Sequence, residues 1–208
     1  MTYYKEVKIL DNGEHLVLLS ESDFCLEPAY FKKGIAPSPD IKLRTYVIDM
    51  LKSASGLLPR GYGFKIFDGY RILDTQKKLF DGLYNYYREH HPAWSEEVLW
   101  EKTEMFVAVP RHDKKNPSPH NTGGAVDLTI IDENGRDIDM GGPFDDFSER
   151  MSAFTFHFDG KNEEFHNNRM LLKRVMEETG FANFENEWWH YSYGDQMWAF
   201  QKGEDCAI

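Results

Sequence analysis

Three short stretches of this chain carry residue types that do chemistry. In Ser118-Pro-His-Asn-Thr-Gly-Gly-Ala-Val-Asp127, an imidazole (His120) and a carboxylate (Asp127) are separated by six residues that include two adjacent glycines. Gly123 and Gly124 permit a tight turn, so a loop histidine and a strand aspartate can converge on one ion, and both side chains are ordinary zinc ligands. In Glu187-Trp-Trp-His190, a carboxylate precedes a second histidine by three positions. A catalytic zinc needs three protein ligands, an open position for water and a nearby base that does not itself bind the metal. His120, Asp127 and His190 fill the first requirement and Glu187 the last. In Asp68-Gly-Tyr-Arg71, a guanidinium stands just past a strand, where it can face the negative charge that develops on an attacked carbonyl oxygen.

Each stretch also has a plainer explanation when taken alone. His120 and Asp127 fit a surface-loop histidine beside a strand aspartate. His190 fits an edge-strand residue flanked by core tryptophans, and Arg71 fits a structural pair with Asp68.

The elements that must position these groups can be read from periodicity. Leu43, Val47, Met50, Leu51 and Ala54 form a helical stripe within Ile41–Leu58, stopped by Pro59, Gly61 and Gly63. Phe64–Asp68 alternates as a half-buried strand, and Asp74 is placed to cap a helix running to about Glu89. Ala125–Ile131 is a strand whose Asn134-Gly135 turn can return the chain as a hairpin. Asn162–Thr179 is helical, with Met170, Leu171, Val175 and Met176 on the apolar face and Gly180 at its stop. Trp188–Tyr193 is aromatic and strand-like, and is placed beside the Ala125 strand. Two side chains three apart on a flat strand point to opposite faces, so Glu187 belongs on a bend just before it. The class is α+β, a mainly antiparallel central sheet flanked by helices, expected as a single domain over residues 1–208.

Composition narrows the partners. A formal charge of −11 argues against nucleic acid, whose binding draws on clustered Lys and Arg, and suits a small substrate better. The apolar run Leu16–Leu19 is too short for a membrane span or secretory signal, so no membrane contact and a cytoplasmic location are expected. Cys25 and Cys206 have no metal-binding or redox spacing and read as two free thiols.

Taken together, the three stretches resemble the VanX-type D-alanyl-D-alanine dipeptidases, in a zinc peptidase group that also includes D,D-carboxypeptidases. The pattern SxHxxGxAxD is matched at Ser118, His120, Gly123, Ala125 and Asp127, ExxH at Glu187 and His190, and DGYR at Asp68–Arg71, in the same order along Leu43–Ala199. The resemblance implies a Hedgehog/DD-peptidase-like fold and one zinc per chain on His120, Asp127 and His190. It implies Glu187 as base and Arg71 as transition-state stabiliser. It further implies that Ser118 and Asp145 meet the ammonium group of a small peptide substrate, with the adjacent Asp146 one position from that role. Near the N-terminus, Val17–Leu26 departs from the aspartate-arginine-tyrosine strand with which the family helps to enclose its dipeptide. Two rivals remain: a D,D-carboxypeptidase or cell-wall endopeptidase of the same group, and a non-catalytic zinc-binding recognition module.

Overall fold

The computed structural model describes residues 3–113, 115–146 and 163–208. The chain opens with β1 (Lys8–Ile9), β2 (Leu16–Leu18) and β3 (Cys25–Leu26), then a single helical turn, α1 (Ala29–Lys32). The helix expected over Ile41–Leu58 is shorter. Lys42–Arg44 instead forms β4, antiparallel to β2, and α2 covers Thr45–Ser55. The reason lies at Arg44, which is extended (φ −65, ψ 146) because its buried guanidinium reaches the carbonyl oxygens of Tyr193 and Ile208. From Thr45 on, the predicted stripe holds, with Val47, Met50, Leu51 and Ala54 buried.

β5 (Gly63–Asp68) leads into α3 (Leu73–His90). Asp74 does not cap this helix. The preceding Ile72 is the extended cap residue, and Asp74 lies in the first turn, where its charge complements the helix N-terminus and pairs with Lys78 at 2.9 Å. The next helix, α4 (Glu96–Glu104), was not expected from periodicity. Ser95 caps it, and Trp100 packs on Phe80 of α3 with ring centroids 4.8 Å apart. β6 (Ala125–Ile131) agrees with expectation residue for residue, and the chain returns past Gly135 to bridge Ile131 with Asp137.

α5 (Glu163–Glu178) fits the expected span from Glu163 on; Asn162, the expected first residue, lies outside the described residues, as does His157. Its buried face is Arg169, Leu172, Val175 and Met176, and Met170 is exposed, so the apolar stripe is rotated from the expected one. The strand expected over Trp188–Tyr193 narrows to β8 (His190–Ser192), preceded by a short edge strand, β7 (Ala182–Asn183). Trp188 and Trp189 sit in the turn before β8, both buried and packed edge to face at 5.3 Å. α6 (Gln196–Lys202), capped by Asp195, and β9 (Cys206–Ala207), parallel to β1, close the chain. Cys25 and Cys206 are free.

The central sheet has the order β3-β5-β6-β8-β7. Only the β3/β5 pair is parallel; the other three are antiparallel. Val126, Leu128 and Ile130 turn one face of β6 into a core shared with Val47, Leu51, Leu172 and Met176 of α2 and α5. Side chains alternate along a strand, so Asp127 is delivered to the opposite face. Among the described residues, no helix is long and apolar enough to cross a membrane.

Candidate metal centre and active site

The sheet register sets the site. Asp127 stands opposite His190 across the β6/β8 pair and opposite Asp68 across the β5/β6 pair. The second pairing needs a bulge: Ile66 opposes Leu128, yet Asp68 opposes the adjacent residue, Asp127. The extra residue re-aims Asp68 onto the face that carries Asp127 and His190. His120 arrives from the single 3-10 turn Pro119–Thr122, which ends at Gly123 with φ 74, a left-handed conformation that a side chain disfavours. Gly124 has a different task. A methyl group there would collide with the Tyr193 carbonyl oxygen and the Arg44 guanidinium, so only glycine lets this loop lie against the end of β8.

The three predicted ligands meet. His120 Nε2 is 3.1 Å from His190 Nδ1, His190 Nδ1 is 3.1 Å from Asp127 Oδ1, and His120 Nε2 is 3.3 Å from Asp127 Oδ1. Tetrahedral ligands held ~2.0–2.1 Å from a zinc ion are about 3.3–3.4 Å apart, so this nearly equilateral triangle has the size of one face of such a site. The donor chemistry fits as well. His120 Nδ1 lies 2.8 Å from the Gly69 carbonyl oxygen, which can only accept, so Nδ1 carries the proton and Nε2 turns a lone pair inward. All three residues are buried, and they form a group able to hold a metal ion. Converging acceptors of this kind are stabilised by a cation.

Glu187 sits on the expected bend, with Oε2 3.8 Å from His190 Nδ1. Burial, reinforced by the charges of Asp127 and Asp145, pushes its carboxyl well above the ordinary value, which raises its basicity. The bend is held by a residue that belongs to none of the three motifs. Asn183 Nδ2 donates to the carbonyl oxygens of both Glu187 (3.0 Å) and His190 (2.9 Å).

Arg71 lies on the other side of Asp127, with Nη2 3.6 Å from Asp127 Oδ2. Its Nε donates to Asp68 Oδ2 at 2.9 Å, Nη1 donates to Gln76 Oε1 at 2.8 Å, and its guanidinium stacks on the Tyr30 ring at 4.8 Å. Burial opposes its charge, but Asp68, Tyr30 and Asp127 keep it fully protonated. The pairing with Asp68 and a position beside the cluster are therefore both present in one side chain.

Ser118 is buried two residues before His120, and its Oγ donates to Asn121 Oδ1 at 2.7 Å. Asp145 has φ 69, an unusual backbone for a non-glycine residue. Its carboxylate accepts from Tyr30 Oη at 3.0 Å and from Lys33 Nζ at 2.6 Å. Tyr30 thus links Asp145 to Arg71. It comes from α1, just after β3, so the N-terminal stretch that departs from the family pattern still supplies an edge strand, and the turn that follows it supplies a wall residue. Tyr30, Gln76 and Asn183 are site residues that spacing did not reveal: Gln76 and Asn183 lie close in sequence to Arg71 and Glu187 but form no chemical pattern with them, and Tyr30 reaches Arg71 across the fold.

Comparison with known proteins gives a consistent result. A family model described as D-ala-D-ala dipeptidase, Peptidase_M15, matches residues 41–204. A D-alanyl-D-alanine dipeptidase from Synechocystis sp. is 30% identical over 221 residues, covering 95% of this chain and 89% of the relative. One from Enterococcus faecalis is 30% identical over 137 residues, covering 65% of this chain and 64% of the relative. Among solved structures, VanYB in complex with D-alanine-D-alanine aligns with a TM-score of 0.53 at 15% identity, over 99% of this chain and 95% of that one, a likeness of fold.

Proposed function

Because the chain belongs to the D-alanyl-D-alanine dipeptidase family and is a metallopeptidase, we propose that it hydrolyses D-alanyl-D-alanine or a closely related D-amino-acid dipeptide, using one zinc ion held by His120, Asp127 and His190. The observation that carries the reading is the 3.1–3.3 Å triangle of inward-facing ligand atoms with Glu187 beside one edge and Arg71 beside another.

A zinc ion bound there supplies positive charge that acidifies a water molecule and polarises the peptide carbonyl. Glu187 takes the proton of the attacking water, an assignment supported by its place beside His190 and outside the ligand triangle. Arg71, fixed by Asp68, Gln76 and Tyr30, faces the negative charge that grows on the carbonyl oxygen. As the C–N bond breaks, Glu187 returns its proton to the departing amine. At the amino end, Asp145 receives the substrate ammonium, with Ser118 on the adjoining loop.

The test is a panel of free dipeptides varied in stereochemistry, alongside an acylated tripeptide, assayed with zinc-loaded protein. Turnover of the D,D-dipeptide over the L,L-dipeptide and the tripeptide is expected. Preference for the tripeptide would assign a carboxypeptidase instead, and absence of any hydrolysis would overturn the enzymatic reading.

A further inference from the structure

We propose that Lys33 is a built-in competitor for the carboxylate that receives the substrate's ammonium group, so that a free dipeptide binds by displacing one ammonium with another. The inference rests on the assignment of Asp145 made above, and deepens it.

The contacts of Lys33 describe an ammonium site. Nζ lies 2.6 Å from Asp145 Oδ2 and stands over two aromatic rings, 5.6 Å from the centroid of Tyr30 and 5.5 Å from that of Phe144. A carboxylate beside aromatic faces is a favourable environment for a cation. The other carboxylate oxygen already accepts from Tyr30 Oη at 3.0 Å, so Oδ2 is the position Lys33 shares with any incoming ammonium.

The two partners differ in freedom. The Asp145 side chain is 11% exposed, whereas that of Lys33 is 45% exposed on a flexible four-carbon stem. The carboxylate stays and the lysine can swing into water. Continuity with the reaction centre comes through Tyr30, whose ring stacks on Arg71 at 4.8 Å. A peptide that reached the cluster with its amino end toward Asp145 would therefore meet Lys33 in its place. A peptide with a blocked amino end makes no ammonium contact and leaves the lysine where it is.

The experiment compares wild type, Lys33→Met, which keeps most of the stem and removes the charge, and Lys33→Arg, which keeps a cation. An ion pair this exposed is worth little, so the expected change is modest: KM for D-alanyl-D-alanine should fall about two- to fivefold in Lys33→Met, with kcat moving less than KM. Lys33→Arg should stay near wild type, and inhibition by the N-acetylated dipeptide should be the same in all three. An unchanged or higher KM in Lys33→Met, with an unaltered thermal melt, would overturn the proposal. Failure of the functional reading shows separately, as a wild type without turnover. Calorimetric binding of the dipeptide to zinc-loaded wild type and Lys33→Met then makes the same comparison, and equal affinities overturn the competitor role.

Discussion

At the scale of single residues, the division of labour between the groups around Asp127 makes distinct predictions. Glu187 is outside the ligand triangle, so Glu187→Ala should bind zinc as wild type does while kcat drops about 10²–10⁴-fold. Metal content by atomic absorption together with initial rates checks both halves. Near-normal turnover would remove Glu187 from proton transfer. Asn183 touches neither metal nor substrate but fixes the two carbonyl groups that frame the bend, so Asn183→Ala removes one of the two donors that each of these carbonyls has, the other being the backbone N–H of His190 for Glu187 and of Phe184 for His190. A loss of about 1–3 kcal/mol in urea unfolding is expected, with a weakened zinc affinity. The second readout matters, because a generic packing defect would lower stability without loosening the metal. These two residues also show what spacing can and cannot reveal. Glu187 was legible because a base must lie near a ligand in the chain or in space, and here it does both. Asn183 was not, because an asparagine that serves only main-chain oxygens leaves no pattern.

Elements, rather than residues, decide whether the motifs meet. β6 was readable as a strand beside the Trp188–Tyr193 segment, whereas its register with β8 was not. The one-residue bulge that brings Asp68 opposite Asp127 left no mark in the alternation of Phe64–Asp68. Likewise, the stripe that predicted a helix from Ile41 was correct about α2 but blind to β4, since Leu43 is buried equally well in either conformation and the choice is made by Arg44 reaching the far end of the chain. Glycines give a controlled test at this scale. Gly124→Ala should destabilise the fold by about 1–3 kcal/mol, because the new methyl meets the Tyr193 carbonyl and Arg44. Gly82, inside α3, has open space around the same position, so Gly82→Ala should stabilise by about 0.5–1 kcal/mol. Melting curves of the two single variants should move in opposite directions. A Gly124→Ala variant as stable as wild type would mean that the loop carrying His120 does not lie against β8.

Over the whole molecule, the inward-facing ligand atoms come from a loop and two strands, so a bound ion ties together segments that are far apart in sequence. Binding that occurs only in the folded state stabilises it, by about 2.7 kcal/mol at a hundredfold excess of free metal over Kd. Chelation should therefore lower Tm reversibly, and restoring zinc should recover it. A Tm indifferent to metal would indicate that the triangle does not bind it. The α+β class and the antiparallel placing of β8 beside β6 were legible in the sequence; the pairing of β5 with β6 was not. The β3 edge, the α3/α4 pair and the closing contact of β1 with β9 were not, because they depend on short or charge-rich segments whose packing partners are non-local.

β8 is inserted between β6 and β7 although it comes late in the chain, and its first residue completes the triangle. During synthesis, His120 and Asp127 emerge and can wait side by side for another 63 residues before the last imidazole arrives. Full-strength ion capture is thus reserved for a polypeptide that has already threaded its penultimate strand, and cargo uptake becomes a timestamp for the end of assembly. In refolding followed with a fluorescent zinc indicator, uptake should coincide with the final kinetic phase and not with the earlier collapse.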